Sequence, residues 1–97
     1  MKQFTVYIGA DNKTGARISR VTLRERLSAF GLEATIIDGE GYSHSWGVER
    51  SAVVTIIGGR KDLSADLTEF AKDRLSTFDQ SCILVTEQNV EGYFYKA

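Results

Sequence analysis

The chain has 97 residues, enough for one domain (residues 1–97) near the lower size limit for independent folding. Its 12 basic and 13 acidic side chains nearly cancel, so the composition excludes nucleic acid as the main partner. The content of 42% hydrophobic and 26% charged residues is typical of a soluble globular chain. No apolar stretch approaches membrane-spanning length and no signal peptide is evident, so we expect a cytoplasmic protein without membrane contact.

The first elements along the chain are a strand and a helix. Alternating apolar residues predict a strand over residues 3–8. Apolar residues at helical spacing then predict a helix over about residues 19–30, with Ser19 as its N-cap and Gly31 as the left-handed residue that ends it. The apolar stripe of this helix consists of Leu23, Leu27 and Phe30.

A glycine-rich segment occupies the middle of the chain. A short second strand is predicted over residues 34–37 and ends at Asp38-Gly39. A loop of residues 39–51 leads into a third strand over residues 51–57, which is apolar on both faces and is therefore expected to be covered on both. The loop contains Tyr, Trp and the only His, which a simple turn does not need, so it is a candidate ligand site.

The last third predicts a helix over residues 64–78, a fourth strand over residues 81–87 and a short extra strand over residues 93–95. The order βαββαβ predicts an α+β domain of ferredoxin-like architecture, an antiparallel sheet with two helices on one face and the extra strand at its C-terminal end. The other face of the sheet is then apolar and open, so we expect a homo-oligomer. Candidate residues for this open face are Tyr7, Val53, Ile57, Tyr93 and Tyr95.

Glu49 is the most informative carboxylate, because it enters a strand that is otherwise apolar. Ser51 lies two positions further and points to the same side. One interpretation is a solvated strand-entry residue paired with a neighbouring arginine, a contact that contributes little. The other is a carboxylate at the mouth of a cleft that binds a ligand hydroxyl or faces a cation. The sequence leaves both open.

Tyr42 and Trp46 lie in the glycine-flanked loop. They either form a small satellite core beneath the loop or make an aromatic wall for a purine base or a sulfonium cation. Gln80 lies between the second helix and the fourth strand, where it either hydrogen-bonds the backbone or orients a polar ligand group. His44 is expected to be an exposed loop residue, and with one His and one Cys in the chain we expect no metal site.

Taken together, several of these segments resemble the phage-encoded S-adenosylmethionine lyases, formerly called S-adenosylmethionine hydrolases. The resemblance runs from about Ser19 to Tyr95 and is carried by Phe30-Gly31-Leu32, Gly41-Tyr42, Glu49 followed by Ser51, and the segment from Asp79 to Val85.

The resemblance implies a homotrimer with active sites between subunits and an anti-restriction role in the host cytoplasm. It implies cleavage of S-adenosylmethionine to methylthioadenosine and homoserine lactone, in which the carboxylate of the substrate attacks its own γ-carbon, without a cofactor. It assigns Glu49 and Tyr42 as the catalytic pair, and Gln80, Ser51 and Tyr7 as substrate contacts. The aromatic-wall interpretation adds Trp46 to the substrate-binding set.

A second function of another class fits the same architecture. A non-catalytic, oligomeric PII-like or ACT-like module that binds a nucleotide or a metabolite shares the fold, the glycine loops and the clefts between subunits, so fold does not separate it from the lyase.

Overall fold

The computed structural model describes residues 1–10, 14–45, 47–58, 63–77 and 83–97. These parts of the chain form four strands and two helices in the order βαββαβ. Their bounds are β1 Lys2–Ile8, α1 Arg20–Ala29, β2 Thr35–Ser43, β3 Gly47–Gly58, α2 Leu63–Thr77 and β4 Leu84–Asn89.

The strands form one sheet in the order β2-β3-β1-β4, and every neighbouring pair is antiparallel. The central strands β1 and β3 pair from Lys2 with Gly58 to Ile8 with Ala52. This order, with one helix after β1 and another after β3, is the predicted ferredoxin-like α+β arrangement, and the prediction of fold class is confirmed.

The hydrophobic core lies between one face of this sheet and both helices. Alternate side chains of β1 and β3 point to the helices and are buried there, as the period of a strand requires. The buried cluster consists of Phe4, Val6, Ile8, Ile18, Leu23, Leu27, Leu32, Ala52, Val54, Ile56, Leu63, Leu67 and Phe70. The predicted placement of both helices on one face is therefore confirmed.

The ends of α1 follow the predicted caps. The Ser19 side chain accepts a hydrogen bond from the Thr22 N–H at 3.4 Å. At the other end Gly31 has φ of +68°, a conformation that only glycine adopts readily. Bonds from Leu32 N–H to Leu27 O and from Gly31 N–H to Ser28 O complete a Schellman motif.

The second strand is longer than predicted, and the glycine-rich loop is shorter. β2 does not end at Asp38-Gly39 but continues to Ser43, paired residue by residue with β3 down to Gly47. Glycine has low strand propensity, but backbone pairing with β3 overrides that preference here. The segment expected to be a loop is thus the far half of a β-hairpin, which ends at a turn before Gly47.

The predicted extra strand over residues 93–95 is wrong. β4 begins at Leu84 and extends through the predicted turn to Asn89, after which residues 90–97 have no regular secondary structure. Gln88 and Asn89, predicted to lie in a turn, pair with Gln3 and Lys2 of β1 instead, so the chain does not reverse direction there. One hydrogen bond, from Val90 N–H to Met1 O at 2.9 Å, still holds the beginning of this segment to the sheet.

A charged cluster joins the two helices. Arg26 of α1 donates two hydrogen bonds to the Asp73 carboxylate of α2, at 3.0 and 3.1 Å. Arg74, which is fully buried with its guanidinium 5.8 Å from the Phe70 ring centroid, also donates to Asp73. Burial raises the pKa of Asp73, but hydrogen bonds from Arg26 and Arg74 outweigh it, and the pKa lies below its ordinary value.

Neither helix in the described parts of the chain is both long enough and apolar enough to cross a membrane.

Candidate functional site

On the sheet face away from the helices, two polar side chains of β3 lie beside two glycines of β2. These four residues, Gly39, Gly41, Glu49 and Ser51, are here called the glycine strip. Gly39 and Gly41 of β2 lie directly opposite Ser51 and Glu49 of β3. Residues that pair directly across two strands point to the same face, and the two glycines contribute no side chain to it. The Ser51 hydroxyl and the Glu49 carboxylate therefore lie beside an open stretch of peptide backbone that a flat ligand could approach.

The absence of a side chain at Gly39 is a steric requirement of this strip. A Cβ atom there would lie 3.0 Å from the Ser51 Oγ and 3.2 Å from the Val53 Cγ2. Both distances are shorter than ordinary contacts, so the Ser51 hydroxyl occupies space that any other residue at position 39 would contest.

Glu49 is held in place by the chain that leaves β1. Its Oε1 atom accepts a hydrogen bond from the backbone N–H of Ala10 at 2.6 Å, and the contact is partly buried. A hydrogen bond from a backbone N–H to a carboxylate is charge-assisted and is stronger than one between neutral groups. This hydrogen bond connects the beginning of β3 to the segment that follows β1. The Glu49 carboxylate is therefore fixed in position and does not move freely in solvent.

Tyr7 lies on the same face as Glu49 and Ser51. It pairs with Val53, so Ser51 is its diagonal neighbour across the two strands, at about 7–8 Å. The Tyr7 side chain is 42% exposed, which leaves the ring accessible from the open face. Three of the six predicted site residues, Tyr7, Ser51 and Glu49, are therefore brought to one face of the sheet.

Tyr42 is not brought to that face. It pairs with Val48, one position before Glu49 on β3, so its side chain points to the opposite face of the hairpin. It is 74% exposed, so it is not packed in a satellite core, which was one of the two alternatives that the sequence left open for it. Within one chain, Tyr42 and Glu49 lie on different sides of the same ribbon.

The remaining predicted positions are at the hairpin turn and after α2. Trp46 and Gln80 lie outside the described residues. His44 is exposed, as predicted. It lies in the turn where the Ser45 N–H donates to the Ser43 hydroxyl at 3.2 Å, and where Gly47 has φ of +83°. In the parts of the chain that the structure describes, no three acidic, histidine or cysteine side chains are grouped to hold a metal ion.

Two arginines next to the glycine strip were not singled out in the sequence. Arg17 donates to the Gly39 carbonyl at 3.3 Å, and both Arg17 and Arg20 form ion pairs with Asp38, at 3.4 and 2.8 Å. Asp38 pairs with Ala52, whose side chain points to the core, so this cluster lies on the helix side of β2. It contacts the glycine strip through the Gly39 carbonyl, from the face opposite to Glu49 and Ser51. The signal in the sequence was the pair of arginines on both sides of the Ser19 cap.

The chain resembles known proteins in structure but not in sequence. No protein-family model matches it, and no curated protein matches it in sequence. Among solved structures, a phage S-adenosylmethionine lyase in the apo state matches with a TM-score of 0.73 and 16% identity, over 98% of this chain and 92% of that chain.

A phage S-adenosylmethionine lyase in complex with S-methyl-5'-thioadenosine matches with a TM-score of 0.66 and 15% identity, over 90% of this chain and 79% of that chain. The GlnK–ATP complex of B. subtilis matches with a TM-score of 0.47 and 23% identity, over 91% and 84% of the two chains. At these identities the likeness to the two lyase structures establishes a shared fold. The chain therefore resembles the phage S-adenosylmethionine lyases in structure over most of its length, as its sequence pattern predicted.

Proposed function

We propose that this protein is an S-adenosylmethionine lyase that acts as a homo-oligomer, with a trimer favoured, and that it counters restriction in the cytoplasm of a phage-infected host. The observation that carries the proposal is the position of Glu49. It lies at the foot of a central strand, beside Ser51 and two glycines, and is hydrogen-bonded to Ala10. The fold shared with lyase structures, one of them holding S-methyl-5'-thioadenosine, supports the same assignment.

The proposed reaction needs neither water nor a protein nucleophile. A carboxylate oxygen of the substrate forms a bond to its own γ-carbon, and the bond from that carbon to sulfur breaks. The electron pair goes to sulfur, which becomes the neutral thioether of methylthioadenosine, while the amino-acid portion leaves as homoserine lactone. The task of the protein is to hold the attacking oxygen in line with the leaving sulfur, which is catalysis by positioning.

The loss of positive charge on the substrate sulfur during the reaction constrains the role of Glu49. The sulfonium is cationic in the substrate and loses its charge in the transition state, so a carboxylate against it would stabilise the ground state more than the transition state. We therefore assign Glu49 to groups whose charge is constant during the reaction, the ribose hydroxyls or the α-ammonium group. The Ser51 hydroxyl and the Tyr7 ring, on the same face, are assigned as further substrate contacts.

The remaining assignments depend on assembly. Tyr42 faces away from Glu49 of its own chain and is largely exposed, so we propose that it contributes to a site shared with a neighbouring copy. Trp46 and Gln80 keep their proposed roles as substrate contacts on the resemblance alone.

The test is to incubate the purified protein with S-adenosylmethionine and to separate the products by chromatography. We expect methylthioadenosine and homoserine lactone in equal amounts. Glu49→Gln is expected to lower kcat/KM at least about 100-fold, because a charge-assisted contact that positions the substrate is lost. Glu40→Gln is the matched control, since Glu40 is an exposed carboxylate on the same hairpin, opposite Arg50, and should have no effect.

Other outcomes would contradict the proposal in different ways. Saturable binding of intact S-adenosylmethionine without turnover would favour the non-catalytic PII-like or ACT-like module. Turnover that Glu49→Gln leaves near the level of the unmodified protein would remove Glu49 from the mechanism. Absence of both binding and turnover would refute the assignment of this substrate.

A further inference from the structure

β2 is the end strand of the sheet, so within the described residues its backbone pairs with another strand on one side only. Two of its positions, opposite Ser51 and Glu49, are glycines. Glycine loses more conformational freedom on folding than any other residue, and it weakens a strand in which it lies. Pairing with β3 alone therefore fixes the backbone of Gly39 and Gly41 less firmly than a strand in the middle of a sheet is fixed.

Arg17 connects this part of β2 to the segment before α1. Its Nη2 atom donates to the Gly39 carbonyl at 3.3 Å, and its Nη1 atom lies 3.4 Å from the Asp38 Oδ2 atom. The guanidinium is a planar fork of donors, so one side chain fixes a backbone carbonyl and the neighbouring carboxylate together. The Arg17 side chain is 33% exposed, so water competes with these contacts less than it does at an open surface.

The backbone that carries Arg17 is itself held in place. Ile18, the next residue, is 4% exposed and belongs to the hydrophobic core. Ser19 then caps α1 by accepting the hydrogen bond from the Thr22 N–H. A side chain on an ordered backbone loses less conformational freedom when it makes a contact, so Arg17 is a firm support for β2.

The glycine strip leaves little room for movement of β2. An added Cβ at Gly39 would lie 3.0 Å from the Ser51 Oγ, so the hydroxyl lies directly against the glycine. The Ser51 hydroxyl and the Glu49 carboxylate are the proposed substrate contacts, and a shift of the β2 backbone changes how closely a substrate can approach both. Binding groups have to be held within about 0.5 Å of their productive positions, which depends on the residues that support them.

We propose that Arg17 is a positioning residue for the glycine strip. It acts through the Gly39 carbonyl, fixes the β2 backbone against the Ser51 hydroxyl, and so sets the shape of the surface that the substrate contacts. This role rests on the lyase assigned in the proposed function. Arg20 has a different role, because it binds the same Asp38 carboxylate at 2.8 and 3.2 Å and ties α1 to β2.

The first test measures kcat and KM for S-adenosylmethionine in the purified Arg17→Ala protein. The strip is assigned to substrate groups whose charge is constant during the reaction, so its displacement weakens binding of the ground state and the transition state alike. We expect KM to rise at least about 10-fold while kcat stays within about 3-fold of the unmodified protein. A variant that merely lowers the folded fraction would instead reduce kcat and leave KM unchanged.

Two further variants accompany this measurement. Arg20→Ala is the matched control, because it removes the other arginine from the same carboxylate and should change KM less than about 2-fold. Arg17→Lys keeps the positive charge and the aliphatic stem but lacks the planar fork, so KM should rise at least about 3-fold in it.

The second test needs no substrate. Amide hydrogen exchange, followed by NMR, reports the local opening of each strand. We expect the amides of residues 39–41 to exchange at least about 10-fold faster in Arg17→Ala than in the unmodified protein, whereas the amides of β1 and β4 should exchange at unchanged rates.

The two tests separate this role from the lyase itself. A KM that Arg17→Ala and Arg17→Lys leave unchanged, equal KM changes in Arg17→Ala and Arg20→Ala, or faster exchange spread evenly over all strands would overturn the role of Arg17. If the unmodified protein does not cleave S-adenosylmethionine, the lyase is refuted and the exchange measurement decides alone. Acceleration confined to residues 39–41 then supports the role of Arg17 in fixing the strip, and its absence overturns it.

Discussion

The Asp73→Asn substitution tests the energetic argument for the cluster that joins the helices. It keeps the shape of the side chain and removes the charge that Arg26 and Arg74 share. Arg26 loses a bidentate contact at 3.0 and 3.1 Å, and Arg74, fully buried, loses an adjacent carboxylate. The change therefore leaves a positive charge inside the protein with less compensation than before.

The size of the effect follows from burial. Removing one partner of a buried ion pair typically costs about 3 to 5 kcal/mol, because the remaining charge keeps its desolvation penalty. The Asp73 side chain is 22% exposed, so water screens part of the interaction. We expect a loss of about 2 to 4 kcal/mol, a large fraction of the roughly 5 to 15 kcal/mol that stabilises a domain of this kind.

The assay is urea unfolding at a fixed protein concentration, since assembly contributes to apparent stability. Glu69→Gln is the matched control on the same helix, because its pair with Lys72 is 3.8 Å long and exposed and is expected to contribute less than about 0.5 kcal/mol. A loss below 1 kcal/mol for Asp73→Asn, or equal losses for the two variants, would refute the assignment of a buried network.

The same carboxylate predicts a pH dependence. The pKa of Asp73 is lower in the folded protein than its ordinary value, so the unfolded chain binds this proton more readily. Its contribution is therefore fully present above the unfolded pKa of about 3.9 and is lost as the pH falls through the folded pKa. The difference between the unmodified protein and Asp73→Asn should be constant from pH 7 to 5 and shrink below about pH 4. A difference that persists unchanged at pH 3 would exclude the charge as its origin.

Three further substitutions test local structure by urea unfolding. Ser19→Ala should cost about 0.5 to 2 kcal/mol through loss of the cap to Thr22, whereas Ser28→Ala, an exposed helix position, should cost nothing. Gly31→Ala should cost about 1 kcal/mol, because φ there is +68°, and a neutral result would contradict the strain argument. Gly39→Ala should destabilise the protein because the new methyl group displaces the Ser51 hydroxyl. The loss of unfolding free energy caused by Gly39→Ala should therefore be smaller in a protein that already carries Ser51→Ala. If the losses of the two single variants simply add in the double variant, the two positions do not compete for space.

Several features of the site were predictable from the sequence because they depend on local alternation. The period of two in β3 places Glu49 and Ser51 on the face opposite Ala52, Val54 and Ile56, and the structure has this arrangement. The alternation in β1 likewise places Tyr7 away from the core. The position of Tyr42 was misjudged because a loop was expected where β2 continues, and in a loop the alternation rule does not apply.

Other features depend on contacts between distant segments, which local patterns do not encode. The hydrogen bond from Ala10 to Glu49 joins residues 39 positions apart. Asp73 and Arg26 are separated by 47 positions, and helical periodicity at Arg74 gave no sign that a guanidinium would be fully buried there. Such charges are tolerated inside only where a partner compensates them, and the Asp73 carboxylate that pairs with Arg74 is also bound by Arg26 of the other helix.

The sequence by itself determined the βαββαβ order, the apolar stripe of each helix, the caps of α1 and the faces to which the residues of β1 and β3 point. These features follow from backbone periodicity and from residue-specific conformational preferences within a few positions. Only the tertiary structure decided how far β2 extends, where Glu49 is anchored, which charges are buried and that residues 90–97 leave the sheet. Each of these is set by the free energy of pairing and packing between segments that meet only in the folded chain.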